Sequence, residues 1–123
     1  MLLKGLQKLT LLDFPSKMAC TVFLGGCNFR CPFCHNAELL RCNVQSIMTT
    51  EELLTFLKKR RGILEGVCIT GGEPTCRKDL PEIIRMGREK GFWGIELNTN
   101  GLIIASRPGY LEELRDAGVT GLF

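Results

Sequence analysis

Short apolar runs that end in glycine alternate with stretches whose apolar residues recur every three or four positions. The run Met18-Ala19-Cys20-Thr21-Val22-Phe23-Leu24 stops at Gly25-Gly26 and predicts a buried strand. Val67-Cys68-Ile69-Thr70 predicts a second strand, ended by Gly71-Gly72-Glu73-Pro74. Trp93 to Leu97 predicts a third, ended by Asn98-Thr99-Asn100-Gly101, and Val119 to Phe123 begins a fourth. Helices fill the intervals. Thr49 and Glu52 have capping-box spacing, Leu53, Leu54 and Leu57 form an apolar stripe, and Lys58-Lys59-Arg60-Arg61 suits the negative end of the helix dipole before Gly62. A second helix is expected from an Asp79 N-cap, with Pro81 in its first turn, to Lys90, stopping at Gly91. A third covers Tyr110 to Arg115 and closes at Gly118. The stretch from Cys27 to Met48 lacks periodicity, apart from a short helix expected over residues 36–41. Loops of that length in a compact domain are usually functional.

Strands alternating with helices imply an α/β protein with a parallel sheet and right-handed crossovers, in the order βαβαβαβ. One domain is expected over residues 1–123, with an N-terminal packing segment over 1–17 and a long loop over 27–48. The leucine-rich start is interrupted by Lys4, Lys8 and Asp13, which fits a strand or turn against the sheet better than a membrane helix. At 123 residues the chain is shorter than the ~200 that a closed eight-fold barrel needs. It stops on an apolar strand, so the expectation is the N-terminal part of an open barrel, or a short form that relies on a partner.

Composition narrows the function. Hydrophobic residues make up 45% and charged residues 24%, which excludes a disordered chain. The net charge of +3 gives no case for nucleic-acid binding, and no apolar run reaches the roughly 18 residues of a membrane span. No secretory signal is visible, so the reducing cytoplasm is the expected compartment. Seven cysteines stand out there, an odd number that cannot all pair within the chain. Clustered thiols in a reducing compartment point to metal or redox chemistry.

In a parallel α/β sheet the loops that follow the strands share one edge, where ligands bind. Cys27-x3-Cys31-x2-Cys34 places three thiols in the first loop. Three thiolates suit a four-iron cluster with one iron left open. The alternative is a zinc ion completed by His35, Cys42 or Cys20. In Gly71-Gly72-Glu73-Pro74 the glycines allow close backbone approach, and Glu73 can accept from an ammonium group. A plain turn with a solvated glutamate is the other reading. Asn98 and Thr99 can bond a carboxylate or ribose, or simply end a strand. Cys20 and Cys68 lie inside predicted strands as buried small hydrophobes, whereas Cys42 and Cys76 are read as incidental. Trp93 is expected in the core. Lys58-Lys59-Arg60-Arg61 reads as a solvated helix end, or as a docking surface for an acidic partner. His35 is the sole histidine, which argues against acid–base hydrolysis.

The cysteine motif, joined to Gly71-Gly72-Glu73-Pro74 after the next strand, resembles the radical S-adenosylmethionine (SAM) superfamily. Leu9-Thr10-Leu11-Leu12-Asp13-Phe14-Pro15, Phe23-Leu24-Gly25-Gly26-Cys27 and Cys34-His35-Asn36 are similar to the activating enzymes of glycyl-radical enzymes. Within that branch the likeness is to the anaerobic ribonucleoside-triphosphate reductase activating type, with the pyruvate formate-lyase type close by. It runs from about Leu6 to Gly101. The resemblance implies the N-terminal part of an open (β/α) barrel. It implies that Cys27, Cys31 and Cys34 hold a [4Fe–4S] cluster whose open iron binds SAM. Phe33 lies beside the adenine, Gly71, Gly72 and Glu73 meet the SAM amino group, and Asn98 and Thr99 sit where the third strand approaches SAM. The Asn98 position is commonly Asp in the pyruvate formate-lyase branch. The implied reaction is reductive cleavage of SAM to a 5′-deoxyadenosyl radical that takes hydrogen from a glycine of a partner glycyl-radical enzyme. A flavodoxin or ferredoxin is the implied electron donor. A radical SAM enzyme acting on a small molecule, and a zinc or iron–sulfur module without turnover, are the competing readings.

Overall fold

In the computed structural model, which describes residues 3–10, 18–27, 32, 46–92 and 94–123, the predicted strands lie side by side in chain order. The strands are β1 (Leu3–Thr10), β2 (Ala19–Leu24), β3 (Gly66–Gly71), β4 (Gly94–Leu97) and β5 (Gly121–Leu122). The helices are α1 (Thr50–Arg60), α2 (Leu80–Glu89), α3 (Leu102–Ser106) and α4 (Tyr110–Ala117), with a 3-10 turn at Pro74–Cys76. β2, β3, β4 and β5 pair in parallel, as the βαβ pattern requires, and β1 adds antiparallel to β2. The leucine-rich N-terminus thus supplies an edge strand. Its outer edge is held by Ser46 and Ile47: Leu3 N donates to Ser46 Oγ at 3.0 Å, and Ile47 N donates to Leu3 O at 2.8 Å.

Strand alternation divides the sheet into two faces. Cys20, Val22 and Leu24 of β2, Val67 and Ile69 of β3, and Ile95 and Leu97 of β4 join one core with the apolar stripes of α1, α2 and α4. Leu53 and Leu57 come from α1, Leu80 and Ile84 from α2, and Tyr110 and Leu114 from α4. Each such side chain removed from water stabilises the fold by roughly 1.5–3 kcal/mol before its ordering entropy is counted. On the opposite face Thr21, Cys68, Glu96 and Gly121 stand in one row across four strands.

Local chemistry explains where the elements differ from expectation. α1 starts as predicted, with a complete capping box: Glu52 N donates to Thr49 Oγ1 at 3.1 Å and Thr49 N donates to Glu52 Oε2 at 2.7 Å. Asp79 occupies the N-cap position of α2 but makes no cap hydrogen bond. Arg77 takes its carboxyl instead, through two bonds of 2.9 Å, and holds it below the usual carboxylate range. The 3-10 turn and α3 are too short to show a period, and no helix was expected at either place. β5 is shorter than the predicted strand over residues 119–123. Thr120 Oγ1 accepts from Ile95 N at 3.0 Å and so takes the place of a ladder bond. The helix expected over residues 36–41, and Cys31, Phe33, Cys34, His35, Cys42 and Trp93, lie outside the described residues.

Thr49→Ala removes one half of the capping box. Chemical denaturation should show a loss of about 1 kcal/mol, through a lower midpoint with an unchanged slope.

Candidate functional site

Leu24 of β2 is in register with Gly71 of β3, so the loops leaving these strands start side by side. Gly72 N donates to Leu24 O at 2.9 Å, and Glu73 N donates to Gly26 O at 2.7 Å. The two loops therefore touch through their backbones. A Cβ on Gly71 would lie 2.2 Å from Leu24 O, and one on Gly72 would lie 1.9 Å from Gly26 O. Gly71 also has φ +118, in the region that favours glycine. The glycine pair is needed for loop-on-loop contact. Cys27, partly exposed, follows Gly26 at once, so the clamp holds its backbone beside Gly72 and Glu73.

Glu73 is 2% exposed, and four donors converge on its carboxyl group. Oε1 accepts from Thr75 N at 3.1 Å, from Thr75 Oγ1, and from Thr99 Oγ1 at 2.6 Å. Oε2 accepts from Asn100 N at 2.6 Å. The loop after β3 is thereby joined to the loop after β4. Thr99 Oγ1 also accepts from Gly101 N at 3.1 Å, and Asn100 Oδ1 caps α3 by accepting from Leu102 N at 3.0 Å. Asn98, half-buried, donates from Nδ2 to Thr70 Oγ1 at 3.3 Å. Thr75 went unremarked in the sequence; its only signal was its place two residues after Glu73.

The expected site residues within the described set, Cys27, Gly71, Gly72, Glu73, Asn98 and Thr99, thus gather on the C-terminal edge of β2, β3 and β4. Cys31, Cys34 and Phe33 fall outside the described residues, among which no three His, Cys, Asp or Glu side chains are grouped to hold a metal. Cys20 is not available as a ligand from this face. It is 0% exposed in the helix-packed core, and burial pushes its thiol up to about 12. Cys68 is also fully buried, and Cys76 is exposed at the end of the 3-10 turn. A thiol at a partly exposed strand end, beside a glycine-lined backbone and a polar loop, fits a thiolate-bound cluster with a small polar ligand next to it. A groove of about 390 Å³ between α4 and β5 is lined by residues such as Leu111, Leu114 and Val119 and holds none of the expected site residues. Among the described residues no helix is long and apolar enough to cross a membrane.

Glu96 is a further polar residue that the sequence reading passed over, although a lone charge between Ile95 and Leu97 was the available signal. It points to the face opposite the helices, two residues before Asn98. It is 8% exposed, and among the described residues its Oε2 has no hydrogen-bond partner. Burial raises its carboxyl above the ordinary value of 4.5.

Two outcomes follow from this geometry. Gly72→Ala must push the loops apart and should cost about 1–3 kcal/mol in thermal or chemical denaturation. Glu96 binds its proton more tightly in the folded chain than in the unfolded one, so its contribution to stability is present at low pH and is lost as pH rises through the folded value. Glu96→Gln should therefore gain stability over the unsubstituted chain at pH 7, and the gain should vanish below pH 4.5, as followed by denaturation across pH.

Comparison with known proteins adds ancestry to this geometry. The profile of the Radical SAM superfamily matches residues 21–123. A protein of Methanocaldococcus jannaschii named as a glycyl-radical enzyme activating enzyme is 38% identical over 117 residues, covering 92% of this chain and 44% of the relative. A GTP 3′,8-cyclase of Alkaliphilus oremlandii is 35% identical over 96 residues, covering 76% of this chain and 29% of the relative. The 7,8-dihydro-6-hydroxymethylpterin dimethyltransferase of Methanocaldococcus jannaschii is 33% identical over 99 residues, covering 79% and 19%. The chain thus spans less than half the length of each of these relatives. The match over most of the chain, together with the glycine-clamped loops on one sheet edge, makes this chain a member of the radical SAM superfamily, whose members use a [4Fe–4S] cluster and S-adenosylmethionine.

Proposed function

We propose that this chain carries the cluster- and SAM-binding edge of a radical SAM oxidoreductase that activates a partner glycyl-radical enzyme. The observation that carries the reading is the backbone clamp of Gly71 and Gly72 on Leu24 and Gly26. It holds the start of the cysteine loop against the loop assigned to the SAM amino group. Cys27, Cys31 and Cys34 would hold the cluster, and their three thiolates leave one iron for SAM. Gly71 and Gly72 would offer backbone to the methionyl end, Asn98 and Thr99 would meet the ribose or carboxylate from β4, and Phe33 would lie against the adenine. When bound, the cluster and SAM supply a 5′-deoxyadenosyl radical able to remove a hydrogen atom. The chain's own residues bind, orient and shield that cofactor pair. The relative of Methanocaldococcus jannaschii named as an activating enzyme, matched over 92% of this chain, supports a backbone glycine as the substrate. A low-potential flavodoxin or ferredoxin is the proposed electron source.

A second reading, action on a small molecule, is favoured by the GTP 3′,8-cyclase relatives.

The test is anaerobic reconstitution with iron and sulfide, followed by electron paramagnetic resonance with and without SAM. A reduced four-iron signal that shifts on adding SAM is expected, and a signal indifferent to SAM would defeat the proposal. Cys27→Ala should lose the cluster iron, whereas Cys68→Ala should keep it; equal iron in both would remove Cys27 from the ligand set. A glycyl-radical signal on mixing with a glycyl-radical enzyme separates the two substrate readings.

A further inference from the structure

We propose that Glu73 is a positioning residue, which braces the loop after β4 rather than contacting SAM itself. The inference rests on reading this edge as the SAM site, and it departs from the role that the family resemblance implies for this glutamate. Three donors crowd Oε1 and one holds Oε2, and at 2% exposure the residue presents almost no surface to a ligand. An ammonium group could reach Oε2 only if Glu73 moved out of its buried position. Thr75, itself 4% exposed, would be left with a buried hydroxyl and amide unpaired if the carboxyl turned away. The bonds instead form a chain of support. Glu73 N is held by Gly26 O beside the start of the cysteine loop. Its carboxyl holds Thr99 and Asn100. These in turn hold Gly101 N and Leu102 N at the start of α3. Glu73 therefore couples the cysteine-loop side of the edge to Asn98 and Thr99, just after β4.

Substitutions separate bracing from direct contact. Glu73→Gln keeps the shape but replaces one acceptor oxygen with a donor, so it cannot accept from both sets of partners. Thr99→Val removes the hydroxyl that links Glu73 to Gly101, and Thr99→Ser restores it. Amide hydrogen exchange on the ligand-free chain is the first readout. Glu73→Gln should speed exchange at Asn100, and Thr99→Val at Gly101, by about tenfold, the scale of one hydrogen bond. Ile69 and Leu97 in the strands should keep wild-type exchange, which shows that the fold survives. Thr99→Ser should restore protection. Unchanged exchange at Asn100 in Glu73→Gln overturns the brace.

The second readout compares the dissociation constants of SAM and of S-methyl-5′-thioadenosine, which lacks the amino and carboxylate groups, on the reconstituted chain. Bracing acts through the ribose contact of Asn98 and Thr99, which both ligands share, so Glu73→Gln should weaken both by about tenfold. Weakening of SAM alone would mean that Glu73 touches the amino group, and weakening of neither would mean that it positions nothing; either overturns the proposal. If the unsubstituted chain binds neither ligand, the SAM reading of this edge falls, and exchange still decides whether Glu73 braces the loop.

Discussion

Two backbones in contact set the conditions for everything at the functional edge. Where β2 and β3 end, the chain at Leu24 and Gly26 runs so close to Gly71 and Gly72 that no side chain fits between them. The contact is made of amide-to-carbonyl bonds, which give directional hold without any side chain to reorient. Parallel register makes it possible, because Leu24 and Gly71 are partners in the ladder and both strands end at one level. The chain at Gly26, just before Cys27, and the loop bearing a buried carboxylate are thus tied together before any ligand is considered.

The two faces of the sheet then divide the cysteines by environment. Cys20 lies in an apolar core where a thiolate has nothing to stabilise it, and its raised thiol is inert as a ligand. Cys27, seven positions later, sits past the strand end and partly exposed. The same side chain is packing material in one place and a candidate metal ligand in the other. Distance along the strand axis, not residue type, makes the difference.

The glutamates show the same principle for polar groups. Glu73 is buried and surrounded by four donors, so its burial is compatible with a stable loop. Glu96 is buried with no partner for Oε2 among the described residues, and burial drives its carboxyl toward the protonated form. One braces the edge from within. The other leaves an unsatisfied polar atom on the face opposite the helices, in a row with Thr21 and Cys68.

Much of this was legible in the chain itself. Glycine-ended apolar runs announced β2, β3 and β4, a capping box announced α1, and glycines at positions 91 and 118 marked where α2 and α4 stop, because these signals are local and repeat at the period of each element. Parallel pairing and the shared C-terminal edge followed from the βαβ rule, whereas the order of the strands in the sheet did not. Short elements did not show: the 3-10 turn and α3 hold fewer residues than a hydrophobic period needs. The length of β5 was set by a Thr120 hydroxyl taking the place of a ladder bond, and the Asp79 cap was lost to Arg77. Nor could spacing tell what Glu73 does, since its partners Thr99 and Asn100 lie 26 and 27 residues away. Residue types and local order therefore settled which elements form and which loops hold the chemistry. Only tertiary packing decided which polar groups meet, because those pairings depend on strand register and loop approach across the sheet.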